Sequence, residues 1–229
     1  MTEEYYVLEG GEKLGPFTER ELLDRPLEPA DKVLLTLETE WKAAHSLSQF
    51  TGYFKSEGIF FPTKENTRSY RLRLPAFLID MIMVLFGTSQ LISIFLGRYM
   101  QPFEAAVSVE TIGNQAKMKE IYDHYYPQML VTVLMLIFVM FIYHSLCEIS
   151  RMRGSVGKYI FGLAVVDELG YILTLRQAVG RNLGKLTYEL PFLLINIPAL
   201  LILLSIPFTP MHQAIHDRFS GCYIVSKKK

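Results

Sequence analysis

Three stretches nearly empty of charge decide what this chain can fold into: Leu74–Gly97, Gln128–Leu146 and Leu186–Phe208. The first holds one acidic residue, Asp80, the second only His144 among His, acidic and basic residues, and the third only Glu189. Each approaches the roughly 20 residues that a helix needs to cross a hydrocarbon layer about 30 Å thick. A soluble core helix would show a polar stripe at helical spacing, whereas these runs are apolar all round. The sequence therefore predicts an integral membrane protein with the lipid bilayer as its first partner.

The flanks set an orientation. Arg68, Arg71 and Arg73 precede the first run, and Arg151, Arg153, Lys158, Arg176, Arg181 and Lys185 lie between the second and third. Positive charge collects on the cytosolic side, so both regions are expected there. Residues 98–127 read as the external loop, with Tyr99, Tyr122, Tyr125 and Tyr126 for an aromatic belt and a short amphipathic helix near 112–124. The third run poses a conflict. A single crossing puts the tail outside, yet the tail holds Arg218 and Lys227–Lys229. Asn196-Ile197-Pro198 interrupts the run, because proline removes a helix donor and disfavours helix just before it. A re-entrant hairpin reconciles both observations; a plain crossing with an external tail also fits the interruption.

Residues 1–70 differ in kind, being rich in Glu, Lys, Thr and Asp. They begin with an acidic segment and no apolar leader, so they are expected to stay in the cytosol. Residues 5–12 read as a strand entering a Gly10-Gly11 turn, Gly15-Pro16-Phe17 as a tight break, and Thr18-x-x-Glu21 as a capping box opening a short helix. Asp31–Leu37 reads as a strand and Trp41 as an apolar anchor. Ser56–Arg68 reads as a polar linker. Further on, Gly154-Ser155-Val156-Gly157-Lys158 resembles a phosphate loop only superficially, since Met152 and Tyr159 stand where the glycine and hydroxyl residue are needed. Tyr159–Val166 reads as a strand, Asp167–Gly170 as a turn and Tyr171–Leu175 as a returning strand, with Gly221–Ser226 as a third strand able to join them. The expected architecture is a small α+β N-terminal domain over 1–55, a linker over 56–70, and an α-helical transmembrane bundle with a short cytosolic β-hairpin over 71–226.

Two resemblances follow from these residues. Tyr6, Gly11, Leu14-Gly15-Pro16-Phe17, Glu21-Leu22, Pro29, Val33 and Trp41 resemble the GYF-like domain, a module of bacterial membrane proteins whose relatives bind proline-rich peptides on an aromatic surface. The resemblance implies Tyr6, Phe17 and Trp41 as peptide-binding residues, although the bulge signature of the proline-binding members is absent. Arg73-x-x-Ala76-x-x-Ile79-Asp80, then Gly157-Lys158, Gly162-Leu163, Val165-Val166-Asp167, Gly170 and Arg181-Asn182, then His216-Asp217-x-x-x-Gly221 resemble the RDD family of bacterial membrane proteins. The residues that name that family carry over to Arg73, Asp80 and Asp217. The resemblance implies a bacterial inner-membrane protein and, by analogy with antiporter-like members, transport.

Arg73 and Asp80 share a helix face about 10 Å apart along the axis. His144 and Glu148 are one turn apart, and Glu189 enters the third run at similar depth. Asp80, His144, Glu148 and Glu189 are therefore expected to converge on a polar cavity that binds a cation or proton, because a carboxylate inside a membrane is costly and usually functional. The competing expectation is structural. Asp80 would pair with Arg73 or Arg218, and Asp217 would cap the turn into the last strand or accept from Arg181. The zero formal net charge gives nucleic acid no electrostatic support, and Cys147 and Cys222 form no metal or redox motif. No cofactor, metal or catalytic motif is expected. The functions that fit are a cation/proton exchanger, made oligomeric to thicken a thin bundle, or a membrane-anchored adaptor whose N-terminal domain recruits a peptide or protein.

Overall fold

The structure is a computed structural model that describes residues 4–36, 38–195 and 206–227. The N-terminal part is a four-stranded antiparallel sheet in the order β2-β1-β3-β4, with β1 Glu4–Glu9, β2 Glu12–Thr18, β3 Lys32–Leu35 and β4 Lys42–Ala43. Alternation along β1 turns Tyr5 and Val7 into the core, as the two-residue period of a strand requires. The expected break at Gly15-Pro16-Phe17 is instead part of β2. The register moves by one residue between Tyr5↔Phe17 and Val7↔Leu14, so the strand bulges past proline. Proline cannot donate to a ladder and is accepted at such a bulge on an edge strand.

Thr18 caps α1 (Glu19–Leu23) with the reciprocal Glu21 contact that its spacing predicts. Leu22, Val33, Phe50 and Phe54 complete the core with Tyr5; full burial of each such side chain stabilises by roughly 1.5–3 kcal/mol. Trp41 is half-buried and lies outside this cluster, so the anchor is Phe50 and Phe54 instead.

The expected polar linker is built into the fold. Helix α2 (Thr51–Ser56) is followed by Ile59 and Phe61, which pack on the N-terminal core, with the Phe61 ring edge-on to Phe54 at 5.2 Å. Phe60 turns the other way, toward Ala164, Val166 and Val225, and its N–H donates to the Gly170 carbonyl at 3.1 Å. Gly170 has φ +81°, and a Cβ there would come within 2.7 Å of the Phe60 backbone. The apolar residues among the polar ones decide the path of this segment.

Two helices are long and apolar enough to cross a membrane: α3 (Arg73–Ala106) and α5 (Gln115–Ile149), joined through α4 (Val109–Ile112). At 34 and 35 residues they are about 50 Å long, well beyond a hydrocarbon core of about 30 Å. They run antiparallel, with Asp80 meeting Tyr143 and Phe103 meeting Tyr125. The short helix expected near 112–124 is the first part of α5. Asn114 caps it by accepting from the amides of Ala116 and Lys117, and helix-favouring residues carry it onward.

After α5 come α6 (Val156–Ile160), β5 (Leu163–Val166), α7 (Leu175–Ile195), α8 (Ile215–Phe219) and β6 (Tyr223–Ser226). The expected β-hairpin is corrected here. The Asp167–Gly170 turn forms, with the Asp167 carboxylate accepting from the Leu169 and Tyr171 amides. The residues after it do not return as a strand. Leu173 turns into the core, and Thr174 and Gln177 form a reciprocal cap for α7. The partner of β5 is β6, antiparallel from Leu163↔Ser226 to Val166↔Tyr223. The tail therefore lies on the same side as residues 150–185, and the N-terminal part joins them there through Phe60. The Asn196–Pro198 interruption, and with it the hairpin reading of the third run, lies outside the described residues.

Candidate functional site

Charged side chains are buried where the start of α3, the end of α5, α6, α7 and α8 meet. Helix α7 shows why. Ala178, Arg181, Asn182 and Lys185 follow the three- and four-residue spacing of a buried stripe, and all four are buried. The stripe is polar where a soluble core would be apolar, so its burial needs charge partners.

Glu148, fully buried, is the first partner. Its Oε1 accepts from Lys158 Nζ at 3.0 Å, from Lys185 Nζ at 3.3 Å and from Arg181 NH1, and its Oε2 accepts from Asn182 Nδ2 at 3.1 Å. Asp217 is the second. It accepts from Arg181 Nε at 2.8 Å and NH2 at 2.7 Å, from Arg73 NH1 at 3.2 Å and from the Ala214 amide at 3.2 Å, with His216 Nε2 at 3.1 Å. Arg181 thus bridges the two carboxylates. Arg73 also donates to the His212 carbonyl at 2.6 Å, which ties α3 to the segment entering α8.

Burial alone would raise Asp217, but the Arg181 charge first, with the hydrogen bond from His216 and the Arg73 charge, outweighs it and holds its carboxyl well below the usual range. Burial pushes His216 down to about 4 against the pull of Asp217. The imidazole is therefore neutral at pH 7, and its N–H is the donor to Asp217.

Asp80 belongs to a separate group. It is buried, and its carboxylate accepts from the Ser155 hydroxyl at 2.5 Å, the Gly157 amide at 2.8 Å and the Tyr143 hydroxyl at 2.9 Å. Tyr143 in turn accepts from the Val156 amide at 3.0 Å. The Gly154–Lys158 loop does cradle an anion, and that anion is Asp80. A side chain at Gly157 would run into the Ala76 carbonyl, so glycine is what lets the loop reach α3.

The structure places the expected site residues as follows. Arg73 and Asp80 share the buried face of α3, but they do not pair; neither does Asp80 pair with Arg218. Asp217 does accept from Arg181. His144 and Glu148 are both buried at the end of α5; Asp80 is held by Ser155 and Gly157, and Lys158 of the same loop reaches Glu148. The Glu189 side chain lies outside the described residues. Among the described residues, His144 Nδ1, Thr88 Oγ1 and the network's own Arg73 Nε are buried without a hydrogen-bond partner. Among the described residues, no His, Cys, Asp and Glu cluster is arranged to hold a metal ion.

Of the residues expected to bind peptide, Phe17 packs against the N-terminal core with Arg25 over its ring. Tyr6 points away from that core under Lys13. An open depression of the domain, about 340 Å³, is lined by Val7, Leu22 and Leu27 together with Glu9, Arg25, Glu28 and Asp31. Ser155, Tyr143 and Lys185 are the polar residues that sequence reasoning gave no role.

The Arg73, Asp80 and Asp217 arrangement falls within residues 67–221, which match the RDD family model. The chain belongs to the RDD family. Membership points to a membrane protein, and in this RDD protein two helices could span the bilayer. A relative in Bacillus subtilis (strain 168), named Uncharacterized protein YxaI, is 40% identical over 52 residues, which make up 23% of this chain and 34% of YxaI. The RDD chain thus spans about a third of that relative's length. No solved structure matches it.

Proposed function

We propose that this protein is a membrane-anchored adaptor of the bacterial inner membrane. Its two long helices hold it in the bilayer, its buried ion network locks their cytosolic ends into a platform, and its N-terminal domain recruits a peptide. The observation that carries this reading is the dense pairing of the buried carboxylates Glu148 and Asp217 with protein donors. A carboxylate offers about four acceptor positions. Glu148 uses four, Asp217 is met by donors from Arg181, Arg73, His216 and Ala214, and Asp80 uses three. A cation at Glu148 or Asp217 would have to displace protein donors to bind, and at Asp80 it would compete with three. The cations around Asp217 also keep it from carrying a proton near neutral pH.

The recruiting surface is the depression beside β1 and α1. Its apolar lining takes one apolar side chain, and although Arg25 pairs with Glu9 at 3.6 Å, Glu28 and Asp31 leave a net acidic lining that favours a basic flank. The test is a peptide array probed with the full chain in detergent. Peptides pairing an apolar residue with Lys or Arg bind, and Glu9→Lys with Glu28→Lys weakens them by about tenfold, or 1.4 kcal/mol. Binding that ignores these reversals contradicts the adaptor.

The second reading is cation/proton exchange centred on Asp80. The buried, unpartnered His144 Nδ1 and Thr88 Oγ1 favour it, since polar groups inside a membrane often mark an ion path. Sodium-driven proton movement in proteoliposomes that disappears in Asp80→Asn would establish it.

A further inference from the structure

The elements that carry the ion network have inverted faces. In α6, Gly157 and Lys158 turn inward while Tyr159 and Ile160 are each 55% exposed. In α8, His216 and Asp217 turn inward while Ile215 is 50% and Phe219 87% exposed. In α7, Leu183 is 51% exposed between Arg181, Asn182 and Lys185, and after the buried Ile206, Phe208 is 88% exposed. Large exposed apolar side chains thus stand next to the buried charges on α6, α7 and α8, and Phe208 adds another. In water this would be a costly exposed patch.

We propose that the ion network lies below the bilayer surface, with Tyr159, Ile160, Leu183, Phe208, Ile215 and Phe219 forming a collar that sits among lipid headgroups and the first acyl carbons. This rests on the reading that α3 and α5 span a bilayer. The occupant is lipid because the collar continues their exposed apolar surface. Leu74 is 53% exposed directly beside buried Arg73, and Leu146 is 58% exposed two residues before buried Glu148. The lipid-facing surface and the buried charges therefore overlap in depth. Tyr159 marks the upper edge: Lys227 Nζ lies 5.1 Å from its ring centroid, and aromatic rings with a polar tip favour this boundary. Arg218, exposed beside Phe219, is long enough to reach lipid phosphate from the same level.

The collar has a consequence for the network. Lipid instead of water around it removes solvent competition for Arg181, Glu148 and Asp217 and strengthens their mutual pairing. Residues 156–160 and 215–219, which charge counting alone assigns to the cytosol, belong to the membrane boundary.

The test uses the full chain in liposomes with Trp41→Phe, so that one introduced tryptophan reports. Phe208→Trp, Phe219→Trp and Ile160→Trp probe the collar, and Phe86→Trp probes the span of α3. The probes are phosphatidylcholine brominated on its acyl chains, and aqueous iodide. The proposal expects a several-fold loss of fluorescence with brominated lipid at all four positions and little loss with iodide. Quenching by iodide at the collar positions alone overturns the collar and leaves the spanning reading intact. Iodide quenching at Phe86→Trp as well overturns both. Collar positions shielded from both quenchers also overturn it, because protein rather than lipid would then cover that surface.

Discussion

The N-terminal domain buries Tyr5, Phe50 and Phe54 and turns Glu, Lys and Thr outward. The layer at the ends of α3 and α5 buries Arg181, Glu148 and Asp217 and turns Tyr159, Phe208 and Phe219 outward. The same chain thus uses two opposite rules for a core. In water, removing apolar surface drives packing. Beside hydrocarbon that drive is absent between elements, and specific polar contacts have to hold helices together. The cost of the second rule is dependence on complete pairing, since one lost partner strands a buried charge.

That dependence gives the largest expected effect. Arg181→Met removes the bridge between Glu148 and Asp217 and leaves both carboxylates short of a cation. Breaking a buried pair costs about 3–5 kcal/mol, and here two are broken, so folded protein should be lost from detergent extracts by size-exclusion chromatography. Recovery of well-folded Arg181→Met would collapse the contrast between the two cores.

The matching experiment in the apolar core is Phe54→Ala. A buried Phe cut to Ala costs about 3–5 kcal/mol, and the loss should stay local. Limited proteolysis is expected to cut within residues 1–62 while α3 and α5 remain protected. Cleavage spreading through both regions would mean that the two cores fold as one.

The smallest effect is a pH dependence of the charged core alone. His216 is buried and neutral in the fold at a pKa of about 4, against about 6.5 when unfolded. Between those values the unfolded chain takes up the extra proton, so stability is complete above pH 6.5 and falls as pH drops toward 4. At 1.36 kcal/mol per unit, the loss approaches about 3 kcal/mol. His216→Gln should flatten the fall in melting temperature over that window. An unchanged slope would remove His216 from the network's energetics.

Much of the frame was legible in the sequence, for identifiable reasons. The apolar runs announced α3 and α5, the Thr18-x-x-Glu21 spacing announced α1, and the RDD residues marked the charges that end up buried. The misses share one cause: partners distant in sequence. Tyr171–Leu175 suits a strand by composition, but β6 occupies the edge of β5, and the Thr174-x-x-Gln177 cap, a readable signal, starts α7 instead. The pairing of Arg73 with Asp217 spans 144 residues, whereas helix spacing speaks only of Arg73 and Asp80. The linker reading weighed the polar residues of 56–68 and missed Ile59, Phe60 and Phe61, which fasten two layers together. For the ion network, the i, i+3, i+4, i+7 pattern of Ala178, Arg181, Asn182 and Lys185 was visible, but a charged stripe is ordinarily a solvated face.

The central claim is that the buried carboxylates lock a platform and do not carry ions. Sodium-driven proton movement in proteoliposomes, measured for wild type and Asp80→Asn alongside their melting temperatures, tests it most directly. The account predicts no flux from either protein and a lower melting temperature for Asp80→Asn, in line with the loss of about 1–3 kcal/mol expected when Ser155, Gly157 and Tyr143 lose their charged acceptor. Flux in wild type that vanishes in an equally stable Asp80→Asn would contradict it.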